Sequence, residues 1–198
     1  MNVRNFFRAL LAACTFIAAA QANANAILQV DGNGILTGAK GVTVLDKKYD
    51  VTFIDGSCPL LFAGCDTASD FTFQNIADAK AAATALLAEV FIDSGTQKFD
   101  YVTNKIVGCT HIAACNAVIP FGIFSATYYS AAFAVNNAGS SVDSVETTTF
   151  LRNGDFTGSS AVTYAKFQLA PADVPEPNSI ALTGVALAGL AFVRRRKS

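Results

Sequence analysis

The chain has 198 residues, 52% of them hydrophobic and 15% charged, enough apolar surface to bury a core and too much for a disordered polymer. Its formal net charge of -1 hides an asymmetry: residues 27–177 hold all 15 acidic residues and only 8 of the 14 basic ones, and the other six cations sit at the two ends. An acidic body without a basic patch argues against nucleic acid as a partner, because phosphate backbones are bound by clustered Lys and Arg.

At the N-terminus, Arg4 and Arg8 precede an apolar run from Ala9 to Ala20 broken only by Thr15, and Gln21 and small residues follow. A positive region, an apolar stretch and an A-x-A site form the tripartite pattern of a secretory signal peptide read by the Sec machinery and signal peptidase. Cleavage is expected after Ala26, or alternatively after Ala24. Leu11 to Cys14 also has the look of a lipoprotein lipobox, but cutting there leaves only Ala9 to Ala13 as the apolar stretch, below the usual minimum.

The body is expected over residues 27–169. Ile27 to Val30 and Gly34 to Leu36 flank Asp31-Gly32-Asn33, while Val42 to Leu45 and Tyr49 to Ile54 flank Asp46-Lys47-Lys48, a pattern of β-hairpins. Asp31 and Asn33 have the spacing that opens a calcium loop, but the later ligands and the closing Glu of that motif are absent. From Asn75 to about Phe91, Ile76, Ala79, Ala83, Leu86, Leu87 and Val90 recur at three- and four-residue steps, which predicts an amphipathic helix. Asn75 is placed to cap it and Asp78 to sit near the positive end of its dipole. Aromatic and β-branched stretches then run over Lys98 to Val102, Phe121 to Val135, Ser144 to Leu151 and Ala161 to Leu169. In the last, Val162 and Tyr164 fall out of phase with Phe167 and Leu169, which suggests a bulged or twisted strand. The fold expected is therefore a β-rich α+β domain, an antiparallel sheet or sandwich with one main helix.

Once the leader is removed, four cysteines remain: Cys58, Cys65, Cys109 and Cys115. Export places them in an oxidising compartment, and of three possible connectivities their close spacing favours Cys58 with Cys65 and Cys109 with Cys115, as clips on surface loops. A zinc site that uses His111 is the competing reading, but gaps of six and five residues exceed the usual ligand spacing. No metal and no cofactor are expected.

His111 is the only imidazole, so any Ser-His-Asp or Cys-His scheme would run through it, and no nucleophile elbow is in sight. Two carboxylates are sufficient for a glycosidase, and Asp55, Asp66, Asp70 and Asp100 are candidates. A secreted hydrolase of matrix polysaccharide is thus the alternative to a non-catalytic body.

Ala170 to Val174 reads as a short exposed spacer ahead of Val174-Pro175-Glu176-Pro177, so that residues 170–177 present that motif. The two prolines hold the chain extended, and a helix begins only after them, capped by Asn178 or Ser179. The uncharged segment 178–193 rises about 24 Å as a helix, short of the roughly 30 Å hydrocarbon core, so flanking arginines would snorkel to complete the span. Arg194, Arg195, Arg196 and Lys197 then favour the cytoplasmic side. That orientation leaves the body outside the cytoplasm, in agreement with the leader.

The Val-Pro-Glu-Pro motif, short apolar helix and Arg-rich end in this order resemble the sorting tail of bacterial PEP-CTERM proteins. The resemblance spans Val174 to Ser198. It implies that Val174, Pro175, Glu176 and Pro177 are recognised by exosortase, a membrane-embedded cysteine transpeptidase, with the membrane engaged only in transit. It further implies a Gram-negative host that makes exopolysaccharide, and delivery of the protein to the cell surface or extracellular matrix. Tyr49 to Cys58 with Gly64 to Phe73 loosely resemble bodies that precede such tails, which implies no defined activity. The expected role is structural or binding, in contact with extracellular polysaccharide.

Overall fold

The computed structural model describes residues 26–139 and 141–171. The expected leader up to Asn25, the sorting motif and the segments 178–193 and 194–198 lie outside the described residues, as does Ala24; Ala26 lies at their start. Among the described residues, no helix is long and apolar enough to cross a membrane.

The elements in chain order are β1 (Ile27–Val30), β2 (Leu36–Val44), β3 (Lys47–Ile54), the short helix α1 (Cys58–Leu61), the main helix α2 (Ile76–Glu89), a two-residue hairpin of β4 (Asp93–Ser94) and β5 (Gln97–Lys98), then β6 (Ala114–Ile123), β7 (Tyr128–Asn137), β8 (Ser144–Leu151) and β9 (Val162–Leu169). Seven of these strands form a single sheet in the order β1-β2-β3-β9-β6-β7-β8.

The expected antiparallel sheet or sandwich is corrected by β9. It enters the middle of the sheet, antiparallel to β3 from Tyr49↔Leu169 to Ile54↔Tyr164, and parallel to β6 at Asn116↔Val162 to Val118↔Tyr164. The sheet is therefore mixed. Hairpin signals report only strands adjacent in sequence, so the insertion of a distant strand leaves no local mark. β9 also pairs with β3 without a register shift. The broken phase of its side chains has another cause, since Tyr164 packs on one face of the sheet while Ala165 and Phe167 pack on the other. A central strand covered on both sides is apolar on both sides.

The first hairpin follows expectation at its turn, where the Asp31 carboxylate accepts from the N–H groups of Asn33 at 2.8 Å and Ile35 at 2.9 Å. The following segment differs. Gly34–Leu36 and Val42–Leu45 belong largely to one strand, β2, with a bulge between Ala39 and Val42. Gly41, at φ 72°, forms the bulge and donates its N–H to Asp50 at 3.0 Å.

Asn75 caps α2, accepting from the Asp78 N–H at 2.9 Å. Its buried face is Ala79, Ala82, Ala83, Ala85 and Leu86, and these small side chains let the helix lie close to the sheet. Ile76 is half exposed at the edge of that face. α2 packs on β2, β6, β7 and β8, so strands far apart in the sheet curve around one helix. The larger core lies there, with Val51, Phe53, Ile119 and Phe167. On the opposite face a second core gathers Phe62, Phe71, Val118, Tyr129 and Tyr164 under α1 and its loop.

Two of the expected strands are revised. Lys98 to Val102 is mostly turn, extended only at β5, with Phe99 buried. Phe121 to Val135 is two strands, divided at Ser125, whose hydroxyl accepts from the N–H groups of Thr127 and Tyr128 at 3.3 and 3.2 Å.

Candidate functional site

Each cysteine pair closes as its spacing predicts: Cys58 with Cys65, Cα atoms 5.7 Å apart, and Cys109 with Cys115, 5.6 Å apart. Their setting does not follow expectation, because all four are buried rather than clipping surface loops. The first pair staples α1 onto the aromatic core, and Cys58 lies one residue beyond Ser57, the α1 N-cap. The second joins the larger core beneath α2, with Cys109 bridged to Ala161 at the head of β9. Loops rich in Gly and Ala look like surface loops, yet small side chains are also what permits a disulfide to lie against a sheet.

His111 is exposed in the loop that the second disulfide closes, its Nδ1 accepting from the Ala113 N–H at 3.2 Å. The Thr103 hydroxyl donates to the His111 carbonyl at 2.9 Å. The imidazole is thus engaged with its own turn.

The four carboxylates singled out from sequence fall in different surroundings. Asp70 is a helix-turn cap, accepting from the N–H groups of Asp66 at 2.9 Å and Thr67 at 3.0 Å, and those bonds hold its pKa below the ordinary carboxylate value. Asp66 is exposed on the same turn. Asp100 is raised, first by burial and then by the charges of Asp143 and Asp93. Those two have structural duties nearby: Asp143 accepts from the Asn137 N–H at 2.8 Å, and Asp93 pairs with Lys98 at 3.5 Å.

Asp55 has the most unusual setting of the four. It follows β3, half-buried, and its Oδ1 is enclosed without a hydrogen-bond partner. Gly108, at φ 81°, lies so close that a Cβ there would meet the Asp55 carboxylate and the Thr163 side chain. Burial is the chief cause that pushes the Asp55 carboxyl up; the Thr163 hydroxyl pulls it back, and the negative charge of Asp155 adds to the rise. Asp155 itself is lowered, since its carboxylate accepts from the Thr157 hydroxyl at 2.6 Å and N–H at 2.8 Å. The Asp155 segment is sewn to the Asp55 segment by the Ser57↔Asp155 bridge and by the Phe156 N–H to Gly56 carbonyl bond of 3.0 Å. One carboxyl biased toward its protonated form beside one held ionised is the polarity of an acid–base pair. Here both biases have local causes, burial for one and a turn for the other.

Two features carry no sequence signal that would reveal them. Buried Tyr129 and Tyr164 share a hydroxyl–hydroxyl bond of 2.7 Å across the sheet. Arg152 reaches from the end of β8 to the carbonyls of Ala126 at 3.0 Å and Gly64 at 3.3 Å, on the wall of a cleft of about 400 Å³ lined also by Thr127 and Asn153. In both cases the partners are tens of residues apart along the chain, so spacing cannot announce them.

The sorting signature is the part of the chain with a recognised relationship. Residues 173–197 match the family model of the PEP-CTERM protein-sorting motif, which contains Val174 to Pro177 and Arg194 to Lys197. No curated protein and no solved structure matches the chain.

Proposed function

With a PEP-CTERM protein-sorting motif over residues 173–197, the chain is an exported protein that exosortase sorts toward the bacterial surface, and we propose that its body serves there as a non-catalytic structural or binding element of an exopolysaccharide matrix. The observation that carries the proposal is the motif itself. Two points of the fold are consistent with it. The motif begins four residues after Leu169, the last residue of β9, so the body and the recognised segment are separated by a short spacer. Two buried disulfides suit a domain that works in an oxidising compartment outside the cytoplasm. In this scheme Glu176 and its flanking prolines are read by exosortase, residues 178–193 hold the membrane during transfer, and Arg194 to Lys197 stop export. The host is a Gram-negative bacterium, and signal peptidase frees the chain at Ala26 or Ala24.

Intact mass measured separately on protein from membranes and from the extracellular matrix of the producing cells tests the scheme. A matrix form that starts at Ile27 or Asn25 and ends near Pro177 is expected, with or without the mass of a carrier. A membrane form alone, still carrying Arg194 to Ser198, would make the tail a permanent anchor and remove the basis for a matrix role.

A further inference from the structure

The two edges of the sheet are finished differently. β1 is four residues long and its register slips between Gln29 and Val30, and short, bulged strands are how natural sheets blunt an edge. The opposite edge, β8, is eight residues, Ser-Val-Glu-Thr-Thr-Thr-Phe-Leu, paired to β7 without a register shift from Ser144↔Val135 to Leu151↔Tyr128. It has no Pro, Gly, Lys or Arg, and the outward run Glu146 to Thr149 is exposed, as is Leu151 at 52%. Three consecutive threonines favour extended structure. Among the described residues nothing pairs with its outer side, and an open ladder of this kind is a template for another strand.

We propose that β8 is a self-association edge, through which two copies of this chain join antiparallel about a two-fold axis at Thr148. The choice of a second copy follows from the strand's own sequence. In an antiparallel pair, facing residues lie on the same side of the sheet, so a two-fold axis normal to the sheet passes through one residue, which then faces itself. Centred on Glu146, the pair would set two carboxylates face to face. Centred on Thr147, it would place Ser144 against Phe150 and Val145 against Thr149, with the two Glu146 side chains only two positions apart. Centred on Thr148, it places Val145 against Leu151 twice and Thr147 against Thr149 twice, covering the exposed Leu151. Glu146 then faces Phe150, and the two Glu146 residues are offset by four positions, about 13 Å along the strand, beyond the screening length in physiological salt of about 8 Å. Of these three registers, the one centred on Thr148 sets Val145 against Leu151 and holds the two Glu146 side chains furthest apart. The resulting sheet is continuous across the dimer, and its outer edges are the blunted β1 strands, which ends the assembly at two. The proposal concerns the body alone and does not rest on where the tail sends it.

Sedimentation of the full chain over a micromolar concentration range, with its thermal midpoint measured in parallel, tests the assignment. A monomer–dimer equilibrium is expected. Thr148→Lys, which sets two ammonium groups opposite each other, is expected to weaken the dimer roughly tenfold or more, while its midpoint at a dilution where the parent is also monomeric stays unchanged. Thr148→Glu should do the same, and mixing the two variants should restore a dimer, which succeeds only if both are folded. A monomer at every concentration, a dimer indifferent to Thr148→Lys, failure of the mixture to reassociate, or growth beyond two copies would each overturn the proposal.

Discussion

At Tyr129 and Tyr164, each phenol hydroxyl is the other's partner at 2.7 Å, so removal of one strands the other in the aromatic core. Tyr164→Phe and Tyr129→Phe are each expected to cost about 1–3 kcal/mol. The double variant should cost less than the sum of the two, a coupling that a urea-denaturation cycle measures directly. The pair also sets an alkaline limit. Burial pushes the Tyr164 hydroxyl up to about 12 and raises Tyr129 from the same cause. Groups with a raised folded pKa lend stability that is complete below the unfolded value of about 10 and lost as pH climbs through the folded one. The urea midpoint should therefore fall from about pH 10 upward, and fall less in the doubly substituted chain. Asp55 obeys the same rule at the acidic end, since burial raises it from 3.8. Its contribution is full below about pH 4 and lost as pH rises through its folded value. Asp55→Asn should thus gain stability relative to the parent near pH 7 and show no such gain near pH 3; equal differences at both pH values would mean that the enclosed Oδ1 carries no penalty.

Among the elements, those closed by neighbours in sequence were legible and those closed across the chain were not. The Asp31 turn, the Asn75 cap and both cysteine pairs involve residues within eight positions of one another, where spacing limits the partners. The helix was read from its apolar repeat, although the face that packs includes Ala82 and Ala85, which a count of large side chains passes over. β6 begins at Ala114, well ahead of the stretch expected from Phe121, because Asn116, Ala117 and Pro120 carry little β signal, while in the sheet Cys115, Ala117 and Ile119 face the core under α2. The depth of the disulfides was equally hidden, and it has a consequence for stability. Each closes a loop of seven or eight residues, for which the chain-entropy account assigns about 2.5 kcal/mol; burial adds to that, since two small polar groups replacing a buried bridge would lose packing as well. Denatured, unreduced mature protein, freed of the leader that carries Cys14, should expose no thiol reactive toward a thiol reagent, and replacing Cys58 and Cys65 together with serine should lower the unfolding free energy by more than about 2.5 kcal/mol. A smaller loss would place that bridge in a loop that tolerates its absence.

For the whole molecule, the sorting signature was open to a reader of the sequence because it is an ordered local pattern of about 25 residues, whereas the mixed sheet is a property of strand order and is written nowhere in one stretch. The position of β9 links the two. It is the strand from which the spacer and the sorting segment continue, and it is held on one side by six residue pairs with β3 and on the other by three with β6, with one further bond from the Ala170 N–H to the Lys48 carbonyl at 2.9 Å. Any load transmitted through the tail, from a membrane that holds it or a carrier to which it has been transferred, therefore enters at the centre of the sheet and runs along the strand. Hydrogen bonds pulled along the strand share the force and fail together, whereas those of an edge strand peeled sideways fail one at a time. A chain held by its tail would thus be pulled through a strand paired on both sides, to β3 and to β6, rather than through an edge.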